Sequence, residues 1–537
     1  MHGIDLATLC PLTTEDALRR AATIAPDVEA IVAPSGRLTF ARLAGEVAAI
    51  RAALAAAGVE RGEHVGLCLG NGPRWMALFL AAGSLGTVVV PLNTRWRGEE
   101  MAYALRQSRV RTLITADRFL RTDFVSLLRG IEPAIDAALP GHALPDLARL
   151  IVIGDDVPSA ARSWPGFMAG GVSPVPAVCA PEDPLLIQYT SGTTSFPKGV
   201  LLTHHSMCAN GFVSGGRIGL RIADRFHSAR PFFHVAGTTL SILACLQHAT
   251  TLVTMDRFEP DEALRLMEAE HCTHFSGNDT MALMLLNHPD RVRRRLALRG
   301  AWAAASPSIV RRIIDELGAR DCVVGYGLSE ASPNIAQSCW WEDEEIRVSG
   351  RMRPQPGIEL RIRDLATGAA CAPGTVGEIL VRGWNVMLGY YDKPAETRAA
   401  LDAEGWLATG DLGVLHEDGR LTFAGRAKEI VRVGGENVSP AEIEDTLHRH
   451  PAIRQAVVIG VPDPRLMEVV CAFVILNDGK DCTGEELITW CRERMAGFKV
   501  PRYVRIVDSF DHIGMTASAK VQKRLLAEHA RQVLGLG

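Results

Sequence analysis

The chain has 537 residues, 47% hydrophobic and 22% charged, with a formal net charge of −4. That length exceeds one ordinary core, so two or three domains are expected, and the composition excludes a disordered chain. The slightly acidic balance gives no electrostatic basis for nucleic-acid or anionic-membrane partners. Twelve cysteines without a C-x-x-C pair, behind an N-terminus that lacks a basic-then-apolar leader, point to reduced thiols and a cytoplasmic setting.

In chain order, a helix opens at Thr14-Glu15-Asp16, short strands follow at Ala30-Ile31-Val32 and Leu38-Thr39-Phe40, and an alanine-rich helix over 41–58 ends at a glycine. Strands over 65–69, 88–90 and 112–115 then alternate with helices over 75–82 and 99–107. That rhythm predicts an α/β fold with mainly parallel sheets flanked by helices. The uncharged stretch 75–94 imitates a membrane span, but Gly83-Ser84-Leu85-Gly86 breaks it and Pro91 ends the valine run. A buried helix followed by a buried strand is therefore expected, with no transmembrane segment. Residues 154–182, rich in Pro, Ala, Gly and Ser, read as an exposed connector.

Two apolar runs, 185–189 and 200–203, bound the loop Thr190-Ser191-Gly192-Thr193-Thr194-Ser195-Phe196-Pro197-Lys198-Gly199. Small residues let main-chain N–H groups approach an anion, five hydroxyls donate hydrogen bonds and one lysine adds compact positive charge, so the loop reads as a phosphate cradle. The P-loop pattern fails here, because Lys198 lies between Pro197 and Gly199 and a strand-like run follows where a helix is required. A second helix–strand block runs from a helix over 203–211 to a strand at 322–324. Short strands and tight turns follow after 350, including a hairpin turn at Glu417-Asp418-Gly419. The final hundred or so residues alternate helices (440–448, 484–495) with strands (456–458, 470–475) as a small α+β unit.

Gly325-Tyr326-Gly327-Leu328-Ser329-Glu330 follows an apolar strand, so its side chains emerge at a carboxyl end, where open α/β sheets bind ligands. The tyrosine offers a purine a face, and Glu330 near phosphates calls for magnesium, which takes oxygen ligands. Asp411, after a Thr-Gly turn, suits the two O–H donors of a ribose, although turn capping alone also accounts for it. His234, in Pro231-Phe232-Phe233-His234-Val235-Ala236-Gly237, borders a substrate pocket or is a core histidine bonded to backbone; no base role is assigned.

Together these stretches resemble the AMP-forming adenylating enzymes, the superfamily of acyl-CoA synthetases, peptide-synthetase adenylation domains and beetle luciferases, over essentially the whole chain. The resemblance implies a large domain over 1–427 with a β-rich subdomain, and a small mobile domain over 428–537 that turns about Lys428. It implies that Thr190, Ser191, Gly192, Thr193, Thr194 and Lys198 hold the triphosphate of ATP, with Thr194 and Glu330 on Mg2+. Ala305, Ser306, Gly325, Tyr326, Gly327 and Ser329 would border the adenine, and Asp411 and Arg426 would hold the ribose. Gly434 and Gly435 would line the path of coenzyme A, and Lys520 would bridge carboxylate and phosphate as a catalytic residue beside Glu330 and Lys198. His234, Val235, Gly237 and Trp302 would form an apolar acyl pocket with room created by glycine, for a small-molecule carboxylic acid that has no α-amino group. The chain departs from the family pattern at Ser195 (usually glycine), Ser329 (threonine), Gly514 (proline) and Ala519 (glycine). The expectation is an ATP-dependent acyl-CoA synthetase acting on a fatty, alicyclic or aromatic acid through acyl-AMP. An adenylating enzyme with another acceptor and a non-catalytic nucleotide or acyl-CoA sensor are the other readings, and a homodimer is among the allowed assemblies.

Overall fold

A computed structural model describes residues 6–190, 197–434, 436–516 and 520–536. The large lobe is built on two sheets. In the first, Asp321–Gly327, Gly300–Ala304, His274–Asn278, Arg225–Ser228, Thr251–Val253 and Glu29–Ala33 run parallel in that spatial order, edged by antiparallel Gly36–Thr39 on one side and by Asn334–Gln337 and Arg353–Pro354 on the other. In the second, Pro184–Thr190, Val88–Pro91, His64–Cys68, Thr112–Ala116, Arg149–Ile153 and Arg162–Ser163 run parallel, and Lys198–Thr203 and Gly389–Tyr390 close the edge antiparallel.

The helix Pro73–Ser84 touches strands of both sheets and is buried from Trp75 onward, which is why its sequence carries no charge there. It is the stretch that imitates a membrane span; no described helix is long and apolar enough to cross a bilayer. The helix His204–Ile218 also packs between the sheets, starting at a Thr203/Ser206 capping box and stopping where Gly219 takes φ +86°. The connector expected over 154–182 holds a little structure. Arg162–Ser163 joins the second sheet, and the single turn Trp164–Met168 buries Phe167, because these aromatics find apolar surface despite the surrounding turn formers.

A four-stranded antiparallel sheet of Glu359–Arg363, Val376–Arg382, Leu407–Leu415 and Leu421–Arg426 follows. The chain then crosses the turn 427–430 into a separate sheet of Glu436–Val438, Val431–Val433, Met467–Leu476, Ile453–Asp463 and Tyr503–Ile506. The helices Pro440–His448, Gly484–Arg492 and Lys523–Leu534 cover this sheet to complete a small α+β lobe with two apolar clusters of its own.

Candidate active site

Parallel strands of the first sheet share one carboxyl edge, and that edge collects Arg230, His234, Asp279, Ala305, Ser306, Tyr326 and Glu330. The second sheet brings its hairpin to the same place. Thr190 pairs with Lys198 at the hairpin mouth, and Val200 pairs with Tyr390, which seats the Lys198 Nζ 4.6 Å from the centre of the Tyr390 ring. The Tyr390 hydroxyl donates to Glu330 Oε1 at 2.8 Å, and Met387 N donates to the Glu330 carbonyl at 2.9 Å. Burial first, and then the Glu330 charge, raise the Tyr390 phenol, so it stays protonated and donates. Lysine, phenol and carboxylate therefore form one chain. The second oxygen of Glu330 has no protein partner among the described residues, so this carboxylate fits magnesium as an oxygen ligand. Ser191, Gly192, Thr193, Thr194 and Ser195 lie outside the described residues.

Cross-strand pairing of Asp411 with Arg426 places a guanidinium beside a carboxylate, Arg426 Nε lying 3.3 Å from Asp411 Oδ1. The Tyr326 hydroxyl donates to Asp411 Oδ2 at 3.0 Å. Burial raises the Asp411 carboxyl, while Arg426, the Tyr326 hydroxyl and Lys520 oppose the rise. Phe423 stacks on Tyr326 with ring centres 5.3 Å apart, so one face of the expected purine platform is taken by protein. Gly327 is required by close packing: a Cβ there would lie 1.9 Å from the Pro333 carbonyl oxygen.

Lys520 reaches this cleft from the small lobe. Its charge is felt by Asp411, Asp279 and His234 together. Its own loop is held by Thr516, whose N donates to the Lys520 carbonyl at 2.8 Å and whose side-chain oxygen accepts from Lys520 N at 3.0 Å, and Arg95 of the large lobe donates to the Thr516 carbonyl at 2.9 Å. Ser306 and Ser308 meet the small lobe as well: Ser308 N donates to Asp445 Oδ1 at 3.2 Å. Burial pushes the Asp445 carboxyl up, and the Ser308 and Ser306 hydroxyls, Arg449 and the Ser308 N–H together more than offset that. Lys428 sits exposed in the turn between the lobes, and Gly434, at φ +59°, packs against Leu466 within the small lobe, so the structure does not bring it to the cleft. Gly435 and Ala519 are outside the described residues.

On the acyl side, His234 and Asp279 each present open surface while protein surrounds them, as walls of a deep cleft do. Surrounding protein first, then Arg230 and Lys520, hold the His234 imidazole down to about 4; its Nδ1 accepts from Ala236 N at 3.2 Å. It is a neutral wall residue. Val235 is buried beside it.

The expectation that glycine makes room in the pocket needs correction. A Cβ on Gly237 would lie 2.1 Å from the Pro231 carbonyl oxygen, so this glycine serves a backbone crossing. The space beside Gly325 is filled by the Trp302 indole, whose Nε1 lies 2.7 Å from where a Cβ would stand. Beyond it, the Arg230 guanidinium stacks over the Trp302 ring at 4.3 Å. Sequence reasoning missed Tyr390, Phe423, Arg230 and Arg95, none of which sits in a motif; only the fold brings them in. A surface depression of about 760 Å³, lined by Glu99, Tyr103, Arg106 and Leu127 among others, lies apart from all of this chemistry.

The chain matches the AMP-binding enzyme family over residues 18–391 and that family's C-terminal domain over 442–520. It is 32% identical to the mitochondrial medium-chain acyl-CoA ligase ACSF2 of Danio rerio, covering 100% of this chain and 91% of that one. It is 34% identical to a Rhodococcus jostii (strain RHA1) CoA ligase for a methyl-dioxo-octahydroindenyl propanoyl group, over 97% and 99% of the two chains. Among solved structures it resembles the anthranilate CoA ligase AuaEII in complex with anthranoyl-AMP, with a TM-score of 0.88, 26% identity and coverage of 99% and 100%. The amide bond synthetase McbA of Marinactinospora thermotolerans also aligns, with a TM-score of 0.80, 28% identity and coverage of 96% and 99%. The chain belongs to the AMP-binding enzyme family, the AMP-forming adenylating enzymes.

Proposed function

We propose that this protein is an ATP-dependent acyl-CoA synthetase, an acid–thiol ligase that converts a hydrophobic carboxylic acid through acyl-AMP to its CoA thioester, with release of pyrophosphate and AMP. The observation that carries this reading is the convergence on one cleft of the Lys198–Tyr390–Glu330 chain, the Tyr326–Asp411–Arg426 cluster and the charge of Lys520.

Each residue then has work that follows from its chemistry. Lys198 and the hydroxyl loop bind the triphosphate, and Asp411, its carboxylate fixed by Tyr326 and Arg426, accepts the ribose hydroxyls. Glu330, oriented by Tyr390, holds magnesium, which supplies positive charge against the phosphate oxygens. An acid attacking a polyanion meets repulsion, and Lys520 offsets it with a cation delivered by the small lobe. Neutral His234, Val235 and Trp302 border the acyl chain and keep water off the reacting carboxylate. The lobes, 1–427 and 428–537, turn about Lys428 so that Lys520 leaves and Gly434 and Gly435 arrive to line the thiol's path. The enzyme works in the cytoplasm, as a monomer or homodimer. The similarity to an amide bond synthetase keeps one second reading, in which an amine takes the acyl group.

The deciding measurement is pyrophosphate and AMP release over a panel of fatty, alicyclic and aromatic acids, with and without CoA. The synthetase reading expects AMP release that depends on CoA. Pyrophosphate release with CoA-independent turnover moves the assignment to another acceptor, and no pyrophosphate with any acid leaves a sensor.

A further inference from the structure

Arg230 lies two residues beyond the strand Arg225–Ser228, on the carboxyl edge that carries the cleft. Its Nε donates to Ser276 Oγ at 2.8 Å and its Nη2 to the Gly277 carbonyl at 3.3 Å, while its Cζ lies over the Trp302 ring, 4.3 Å from the ring centre. Asn71 fastens the backbone on either side, donating to the Arg230 carbonyl at 2.9 Å and accepting from Phe232 N at 2.8 Å. This side chain is built into place.

It also lacks a counter-charge. No described carboxylate lies within ion-pair distance, and burial alone holds the guanidinium down to about 10, so it remains charged at neutral pH. A guanidinium has five N–H donors. Two are used, and Nη1 has no protein acceptor among the described residues yet is not sealed from open space. A guanidinium half-buried against Trp302, with one nitrogen facing open space and no anion beside it, is placed to take an acceptor from a ligand.

Its place follows from its neighbours. Arg230 precedes His234 by four residues beyond the same strand, and its guanidinium lies over the Trp302 ring. His234 and Trp302 border the acyl chain on the reading proposed above, so Arg230 borders that pocket as well.

We propose that Arg230 is a specificity-determining residue that receives a second oxygen acceptor of the acid, a carbonyl or a distal carboxylate, several bonds from the carboxyl group that is activated. The inference rests on the acyl-CoA synthetase reading and narrows its substrate class from plain hydrocarbon acids to oxygenated ones.

The test compares kcat/KM for CoA thioester formation on three acids of one skeleton: unsubstituted, bearing a ring or chain ketone, and bearing a second carboxylate. The wild-type enzyme is expected to prefer an oxygenated member by ~30-fold or more, the scale of a charge-assisted hydrogen bond. Whichever of the two wins identifies the acceptor. Arg230→Met is expected to collapse that ratio toward one, and Arg230→Lys, which keeps the charge without the fork, to retain part of it. Should Arg230→Met fail to fold, Ser276→Ala, which frees the guanidinium, reads the same ratio. A wild-type preference for the unsubstituted acid, or an Arg230→Met enzyme slowed equally on all three, overturns the assignment and leaves the synthetase reading intact. Absence of pyrophosphate release with every acid overturns both.

Discussion

A carboxylate nearly sealed from solvent needs partners, and Asp411 has them in Tyr326 and Arg426. Replacing it with asparagine preserves an acceptor for the Tyr326 hydroxyl but removes the charge that pairs with Arg426 and that is proposed to accept the ribose hydroxyls. Asp411→Asn is expected to lower kcat/KM for ATP in pyrophosphate exchange by ~10–100-fold with little change in melting temperature. Histidines buried away from the site set acid stability. Burial holds His227 and His204 down to about 4 against 6.5 for a free imidazole, and neither nitrogen of His227 has a partner. Between pH 6.5 and 4 the unfolded chain therefore binds protons that the native chain does not, and stability falls as pH falls through that window, by up to about 3 kcal/mol for each histidine. His227→Leu should flatten the decline of melting temperature across it. At this scale the sequence offered candidates wherever a short motif carries them. Tyr326, Glu330, Asp411 and Arg426 each sit in a short motif with its own chemical sense. Tyr390 and Arg230 do not, since Tyr390 meets Glu330 from sixty residues away and Arg230 is defined by Trp302 and Ser276.

Among the elements, the strand–helix alternation of the large lobe was legible from apolar runs and glycine stops. The strand Arg225–Ser228 was not, because it carries Arg, His and Ser; parallel partners on both sides, Phe226 facing Leu252 and His274, define it instead. The glycines show a similar limit. From sequence, Gly237 read as open space in the pocket, whereas it admits a carbonyl, and Gly325 admits an indole. Gly325→Ala is expected to cost about 1–3 kcal/mol, since the new methyl meets a packed ring and not the end of a flexible chain. Trp302→Val in the same chain should recover much of that loss. A double-mutant cycle by denaturant unfolding measures the coupling, and additivity would contradict the packing account.

For the whole molecule, the relation between lobes is set by a few polar contacts spread across the cleft. Asn287 donates to the Arg454 carbonyl, Ser308 N to Asp445, and Arg95 to Thr516. Near the hinge, Lys523 bridges Glu444 at 2.9 Å and Glu429 at 3.5 Å, and these acids offset its burial and keep its pKa above the ordinary lysine value. Small, polar contacts of this kind suit an interface that must open. Arg95→Ala is expected to slow pyrophosphate release about tenfold by loosening the loop that presents Lys520, while thioester formation from supplied acyl-AMP is spared. Equal losses in both half-reactions would contradict that role. The two-lobe arrangement was readable from motif order, but which orientation the chain adopts was not, since the contacts between the lobes join residues more than a hundred positions apart.

The bond from Ser308 to Asp445 carries a timing consequence. The segment expected to border the purine is roofed by the same lobe that supplies Lys520, so on the proposed mechanism a single swing would both withdraw that cation and uncover the spent mononucleotide. Nucleotide exchange and thiol arrival then share one rate, and that rate should track solvent viscosity: kcat falling in proportion as sucrose is added, with kcat/KM for ATP left nearly flat.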